Sequence, residues 1–494
     1  MVEENTFTAL FGRTMHARTL SLSLVSLLFA CGDDGAASSP ERARDPDADA
    51  PTPEDDPRDP ASPPASKGGL TYFQDVAPIF AAHCMGCHRE GGSGPFRLDD
   101  YASARAHAAA IAHATSERTM PPSYVLADGS CGEYADANQL SAAQIATIGR
   151  WADEGAAAGD EVPLRVPEVT TLTGGRSYQT PEYTPQPLGG ELAATDDYHC
   201  FLFDAGVGIE QFITGFEVTP GSPVVHHAIA YVVDPAAPSL VPGATNAEVM
   251  LAHDAASPGV PGWSCLNTAG DGVATRNMPA TWLPGQGAQE LPNESGVRVR
   301  PGDAVVLQVH YNLAHAEGSA TSDATHTASG TSAKPTNLIT TMRFALAPRV
   351  KNEGFFVAGD GLLESIGAPV PVALPPGEKR ALFPWSRLML QLGFTAPRAE
   401  LWGIYPHMHQ LGTRFSAALR RADGTRTCMV ELPRWNYHWQ RMYSYAKPLE
   451  ITPDTAVDVE CQYDTSGRTT PVLPGMGTDN EMCSAIMYMT IPVQ

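Results

Sequence analysis

Pro301-Gly302-Asp303-Ala304-Val305-Val306-Leu307-Gln308-Val309-His310-Tyr311-Asn312 reads as a turn running into a β-strand. Pro, Gly and Asp supply the turn, after which Val305, Leu307, Val309 and Tyr311 fall on one face and Gln308, His310 and Asn312 on the other. The alternation recurs at Leu388, Leu390, Leu392 and Phe394, and at Val457, Val459, Cys461 and Tyr463 after Thr452-Pro453-Asp454. With 45 Gly and 43 Pro in 494 residues, many turns and short strands are expected rather than long helices. Two β-sandwiches in tandem fit residues 165–340 and 341–494, with the boundary between about 335 and 345.

Upstream the pattern is helical. Phe73, Val76, Ala77 and Phe80 share one helical face, and Ser141 with Gln144 forms a capping box, with Leu140 and Ile145 as its hydrophobic staple. Ile145, Ile148 and Trp151 continue the stripe. Residues 69–160 therefore read as a small all-α domain.

Before it, residues 32–68 are rich in Asp, Glu, Pro, Ala and Ser and read as a solvated, disordered tether. Residues 1–31 read as an export signal: Arg13 and Arg18 precede a short apolar run, Leu20 to Ala30, that ends at Cys31. Leu28-Phe29-Ala30-Cys31 resembles a bacterial lipobox, whose Cys is acylated, and Met15 can serve as the start. An ordinary signal peptide is the alternative. Either places the chain outside the cytoplasm, as a periplasmic or cell-surface lipoprotein touching a membrane through its N-terminal lipid alone. The apolar runs are too short to span a bilayer. The formal net charge of -23 excludes a nucleic-acid partner, because no basic surface offsets phosphate repulsion.

Cys84-Met85-Gly86-Cys87-His88 is the C-x-x-C-H sequence in which two thiols bond the porphyrin vinyls and the His ligates iron. One covalent haem c is the expected cofactor, and the segment resembles a small cytochrome c domain. A redox dithiol or a structural metal site is the alternative. Met120, in Thr119-Met120-Pro121-Pro122, is the expected sixth ligand, as in small cytochromes c; Met85, His83, His107 and His113 are the other candidates.

Downstream, five of the 15 His fall in three clusters: Val225-His226-His227, Gln308-Val309-His310-Tyr311 and Pro406-His407-Met408-His409. His407 and His409, two apart on a strand, project to one side and can grip one ion. His226 and His227 are adjacent, so converging on one metal requires a bulge or bend, for which Pro223 is placed. Imidazoles suit copper, zinc, iron or nickel. A thioether in Glu481-Met482-Cys483 favours Cu(I), although a core methionine is the commoner role for such a residue.

Val225-His226-His227, Leu307-Gln308-Val309-His310-Tyr311, His407-Met408-His409 with Leu411-Gly412, and Glu481-Met482-Cys483 with Ile486-Met487-Tyr488 occur here in the order seen in one family. Residues 195–494 resemble the peptidylglycine α-hydroxylating and dopamine β-monooxygenases, of the copper type II ascorbate-dependent monooxygenase family. The resemblance implies two jelly-roll β-sandwiches and two copper ions. His226, His227 and His310 would hold an electron-transfer copper, and His407, His409 and Met482 the copper that activates O2. It also implies disulfides Cys461–Cys483 and Cys200–Cys265, leaving Cys131 and Cys428 to pair or stay reduced. The expected fold class is thus multidomain: a small all-α cytochrome c-like domain followed by two all-β jelly-roll sandwich domains.

The peptide-amidating branch grips a substrate carboxylate with an Arg and a Tyr at positions that are Tyr405 and Ile486 here. A small apolar or aromatic substrate is therefore expected. Trp402, Tyr405 and the run Trp435-Asn436-Tyr437-His438-Trp439 either line its pocket or fill a sandwich core. The resulting expectation is hydroxylation of a C–H bond with O2 and an external electron donor, the haem relaying electrons. A non-enzymatic electron-transfer or metal-binding lipoprotein and a zinc-binding adhesin-like sandwich are the competing readings.

Overall fold

The computed structural model describes residues 69–493, apart from 93, 167, 169, 188–195, 267, 314–335, 363–371, 476–479 and the side chain of His438. The export segment, its Cys31 and the tether lie outside the described residues. The described residues all belong to one compact unit, Ala61–Gln494. Among them, no helix is long and apolar enough to cross a membrane.

Three sheets make up most of this unit. The largest runs Arg176–Gln179, Thr341–Ala347, Gln211–Thr219, Ser295–Val299, Asn352–Asp360, Ser484–Pro492, Ala399–His407, Tyr443–Ile451, with Gln289–Glu290 paired to Gln211–Thr219. A five-stranded sheet, Trp263–Ser264, Asp196–Asp204, Ala304–Asn312, Val225–Val233, Asn277–Trp282, packs against its first half. A four-stranded sheet, Ala381–Leu388, Ala456–Tyr463, Gly412–Arg420, Arg426–Leu432, packs against its second half.

The expected fold class is corrected here on two counts. First, the two β-layers do not form separate sandwiches. The nine-stranded sheet is continuous across both halves through a short parallel pairing, Asn352 with Ser295 and Glu353 with Gly296. Tyr488, from the C-terminal strand, packs in the N-terminal core and shares a 2.7 Å hydroxyl contact with Ser295.

Second, no free-standing all-α cytochrome c-like domain precedes the sheets. Before the sheets, the described helices are Tyr72–Val76, a π-type turn, then Ala77–His83, Tyr101–Ala106, Ala108–Ser116 and Ala142–Asp153. The interval 117–141 contains no helix and is laid along the C-terminal half. Leu126 N–H donates to Glu431 O at 2.7 Å, Ala446 N–H to Glu133 O at 2.8 Å, and Cys131 is disulfide-bonded to Cys428. Tyr124, Val125 and Tyr134 join the core of that half. Their apolar surface is buried against the sheets, so a closed helical domain never forms around them.

Local readings fare unevenly. Ser141 and Gln144 do make a reciprocal capping box, Ser141 N–H to Gln144 Oε1 at 2.8 Å and Gln144 N–H to Ser141 Oγ at 3.2 Å. Val457, Val459, Cys461 and Tyr463 form the buried face of a strand. The Leu388–Phe394 alternation does not continue a strand: Met389–Leu392 is a 3-10 turn closed by Gly393 at φ +84°, burying Met389 and Phe394 while Leu390 faces solvent. Ala304–Asn312 is buried on both faces, because helix Asn246–Ala256 and Trp263 cover the outer face of its sheet.

Candidate metal centres

Val225–Val233 and Ala304–Asn312 are central, antiparallel neighbours, so their side chains can meet. Val225 pairs with Tyr311 and His227 with His310, the register slipping between them. This is the bulge that Pro223 anticipates, and it turns both adjacent histidines toward one point. Ligand atoms of His226, His227 and His310 lie within 4.8 Å of one another. His226 Nδ1 is 3.1 Å from His310 Nδ1, and His227 Nδ1 is buried without a hydrogen-bond partner. Burial, then the neighbouring His310, His226 and His407, hold the His227 imidazole well below its usual pKa, so it is neutral. A converging set of three imidazoles, one of them neutral and with an unpartnered buried nitrogen, suits a transition metal.

Sequence reasoning missed the residues behind these ligands. Asp196 Oδ1 lies 2.9 Å from His310 Nε2, which leaves Nδ1 for a metal. Tyr198 stacks on the His310 ring, centroids 3.9 Å apart and 8° from parallel. Nothing in Asp196-Asp197-Tyr198-His199 separates the two aspartates by sequence; only the strand register does, since Tyr198 is the partner of His310.

His407 ends the strand Ala399–His407 and His409 lies just beyond it, their rings 5.1 Å apart. Each ring is oriented through Nδ1, His407 by Gln440 Oε1 at 2.5 Å and His409 by the Asn480 carbonyl at 3.0 Å. Burial first, and then His409, press the His407 pKa down to about 3. Glu481 accepts from the backbone N–H of His409 at 2.9 Å and of Leu411 at 2.7 Å, tying the loop that carries Met482 to the histidine pair. Met482 is buried, its carbonyl accepting from Tyr463 O–H at 2.7 Å, and the next residue closes the Cys461–Cys483 disulfide. Among the described His, Cys, Asp and Glu residues only the first cluster reaches three ligands.

The two centres face one another. His407 is near enough to act on the charge of His227. The Tyr198 and Tyr437 hydroxyls lie 3.3 Å apart, and Tyr437 stands edge-on to His409 at 6.3 Å. Of the aromatics expected either at a pocket or in a core, Trp402, Trp435 and Trp439 pack against cores, Trp435 donating to the His409 carbonyl at 3.1 Å. Tyr405 and Ile486 are cross-strand partners.

Cys84 and Cys87 are neighbouring free thiols, and burial, then Cys87, push the Cys84 thiol up to about 12. His88 Nδ1 meets the Phe96 carbonyl at 3.0 Å, leaving Nε2 for iron. Unpaired thiols and an oriented imidazole fit covalent haem. Met120 follows the helix Ala108–Ser116, its N–H donating to Ala114 O at 3.1 Å, and no described contact links it to His88.

Disulfides Cys200–Cys265 and Cys461–Cys483 are both present, and Cys131 pairs with Cys428.

A comparison with curated proteins found no match. Among solved structures, the chain is similar to one of the infectious bursal disease virus Gx strain (10% identity, 66% of this chain and 70% of that chain, TM-score 0.17). It is likewise similar to the VP2 subviral particle of that virus (10%, 67% and 74%, TM-score 0.17) and to the Sputnik virophage (9%, 72% and 91%, TM-score 0.17). Likenesses this slight carry no argument. A family model does match: residues 394–493 fit the copper type II ascorbate-dependent monooxygenase C-terminal domain. That span contains His407, His409 and Met482, and residues 394–493 thus belong to the copper type II ascorbate-dependent monooxygenase family as its C-terminal domain.

Proposed function

We propose that the chain is a two-copper monooxygenase that hydroxylates a C–H bond of a small apolar or aromatic substrate, with electrons supplied through a covalent haem c. The observation that carries this reading is the histidine triad facing the His407–His409 pair inside a matched copper monooxygenase domain. Copper held by His407, His409 and Met482 would supply O2 activation, and copper held by His226, His227 and His310 the second electron, one oxygen atom leaving as water.

The chain's own residues have defined tasks. Asp196, Gln440 and the Asn480 carbonyl each hold one ring nitrogen and so orient the imidazoles of His310, His407 and His409. Glu481 holds the backbone of the His409 loop, and the Cys461–Cys483 bridge anchors the residue after Met482. Tyr405 and Ile486, adjacent across two strands, offer no cation to a substrate carboxylate, which supports an uncharged substrate. His88 and Met120 would be the haem iron's protein ligands, and the electron donor is external. Three disulfides suit an exported protein, held to a membrane by lipid at Cys31.

X-ray absorption of the reduced, copper-loaded protein tests this. A copper–sulfur contribution is expected in the wild type, lost in Met482→Ala and retained in His310→Ala, with O2-dependent turnover lost in both. Sulfur scattering that survives Met482→Ala moves the oxygen site to another ligand. None in the wild type removes the monooxygenase reading in favour of a non-enzymatic copper protein.

A further inference from the structure

The C-x-x-C-H segment is seated on the β-structure at one point. Cys87 Sγ lies 3.8 Å from the Pro284 carbonyl oxygen. At Gly285, φ +85°, a β-carbon would collide with that sulfur, so the contact leaves no room for a side chain. Gly86 approaches the Gly285 carbonyl from the other side, its β-carbon position 3.9 Å from the oxygen.

The turn that receives Cys87 follows the strand Asn277–Trp282 and is tied back to it. Trp282 Nε1–H donates to Gln286 O at 2.9 Å, Gln286 N–H to Leu283 O at 3.2 Å, and Leu283 N–H to Gln286 Oε1 at 3.0 Å. Trp282 is buried and is the register partner of Ala228, the residue after His227. From the Cys87 sulfur to the triad, the path is one contact, the three residues Pro284, Leu283 and Trp282, one cross-strand pair to Ala228, and one step along the strand to His227.

We propose that the Pro284–Gly285–Gln286 turn is the docking face for the thioether edge of the haem and the point at which electrons enter the triad. This rests on the haem and copper reading above. In the step, one electron leaves ferrous haem, which becomes ferric, and reduces Cu(II) at His226, His227 and His310 to Cu(I). No bond is made or broken and no proton moves, and a one-electron donor from outside the chain resets the haem. A second connection runs from the 117–141 interval: Tyr124 O–H donates to Thr119 O at 3.3 Å and accepts from Asn436 Nδ2 at 3.4 Å, beside Tyr437. That route depends on long side-chain hydrogen bonds and reaches the triad only through Tyr437, Tyr198 and the His310 ring, so the Gly285 contact is the favoured entry.

The experiment uses the full chain loaded with haem and copper, under anaerobic conditions. The haem is reduced by a light pulse and its reoxidation followed by absorbance. Gly285→Asn keeps a residue tolerant of positive φ but places a side chain against Cys87. It is expected to slow reoxidation by roughly tenfold to a hundredfold, as for a positioned contact displaced by about 1 Å. Direct reduction of copper by ascorbate, read by electron paramagnetic resonance, stays unchanged, and Tyr124→Phe leaves haem reoxidation unchanged. Slowing in Tyr124→Phe with a normal rate in Gly285→Asn overturns the proposal. If Gly285→Asn does not fold, hydrogen exchange of residues 283–287 in copper-free wild type decides. Exchange slower than in Cys84→Ser/Cys87→Ser supports docking, and equal exchange overturns it. Wild type lacking haem or triad copper instead refutes the functional reading beneath it.

Discussion

Asp196 decides which nitrogen of His310 faces the metal position, and its removal yields a number. The two side chains are 2% and 6% exposed, and His310 Nε2 lies 2.9 Å from Asp196 Oδ1. A neutral imidazole carries one proton. With that proton on Nε2 and held by the carboxylate, the Nδ1 lone pair points toward His226 Nδ1, 3.1 Å away, where a shared ion would sit. Asp196→Ala frees the ring to take the other tautomer and strands a buried N–H, which costs about 1–3 kcal/mol of stability. Loss of such a supporting carboxylate weakens metal binding by about 10–100-fold, or roughly 1.4–2.7 kcal/mol. Asp196→Asn keeps an acceptor and forfeits only the charge, so a smaller loss is expected. Titration of the metal-free protein with Cu(I) against a competing chelator reads both variants. Unchanged triad affinity in Asp196→Ala would refute the argument, because tautomer control would then be irrelevant to the site.

The Cys131–Cys428 bridge spans 297 residues, for which chain entropy gives an upper value of about 6 kcal/mol and typical measurements about 2–4 kcal/mol. Cys131→Ser/Cys428→Ser should therefore expose the 117–141 segment to limited proteolysis while Cu(I) binding by the triad persists; undiminished protease resistance would contradict it. His199, buried against Tyr183 with Nε2 at 2.8 Å from the Pro261 carbonyl, is depressed by burial from 6.5 to about 4. The unfolded chain therefore takes up this proton first, and up to about 3 kcal/mol of stability present above pH 6.5 is lost as pH falls toward 4. Denaturant unfolding of the metal-free protein across that range should show the decline, and His199→Gln should flatten it.

What could be read from sequence was local. Adjacent His226 and His227 demand a bulge if they are to meet, and Pro223 signals where; both are present in the strand register. Ser141 and Gln144 signal their cap for the same reason, three residues apart on one turn. Asp196, Gln440 and Asn480 were invisible because each reaches its histidine from a strand or loop between 33 and 114 residues away. Leu388 to Phe394 misled because alternation is equally compatible with a strand end followed by a tight turn, and only packing of Met389 and Phe394 selects the latter. The Cys131–Cys428 pair and the seat of 117–141 were likewise out of reach, since no periodicity records which surface buries Tyr124 or Tyr134.

The continuity of the large sheet has a consequence for chemistry. The triad stands on the five-stranded sheet and His407 on the nine-stranded one, so their separation depends on how rigidly the two halves are joined. A flexible linker would leave that separation to thermal motion. Here the junction is sheet: Ser295 pairs with Asn352, Asn277 Nδ2–H donates to Gly354 O at 3.3 Å, Asn293 Nδ2–H to Glu400 Oε2 at 2.7 Å, and Ser295 meets the Tyr488 hydroxyl at 2.7 Å. These contacts lie away from the metal positions, and the Tyr198–Tyr437 hydroxyl pair adds one beside them. Opening the space between the centres would require breaking several of them together, each worth about 0.5–1.5 kcal/mol. The two histidine clusters are therefore held at a built-in distance by contacts that the fold itself keeps in place.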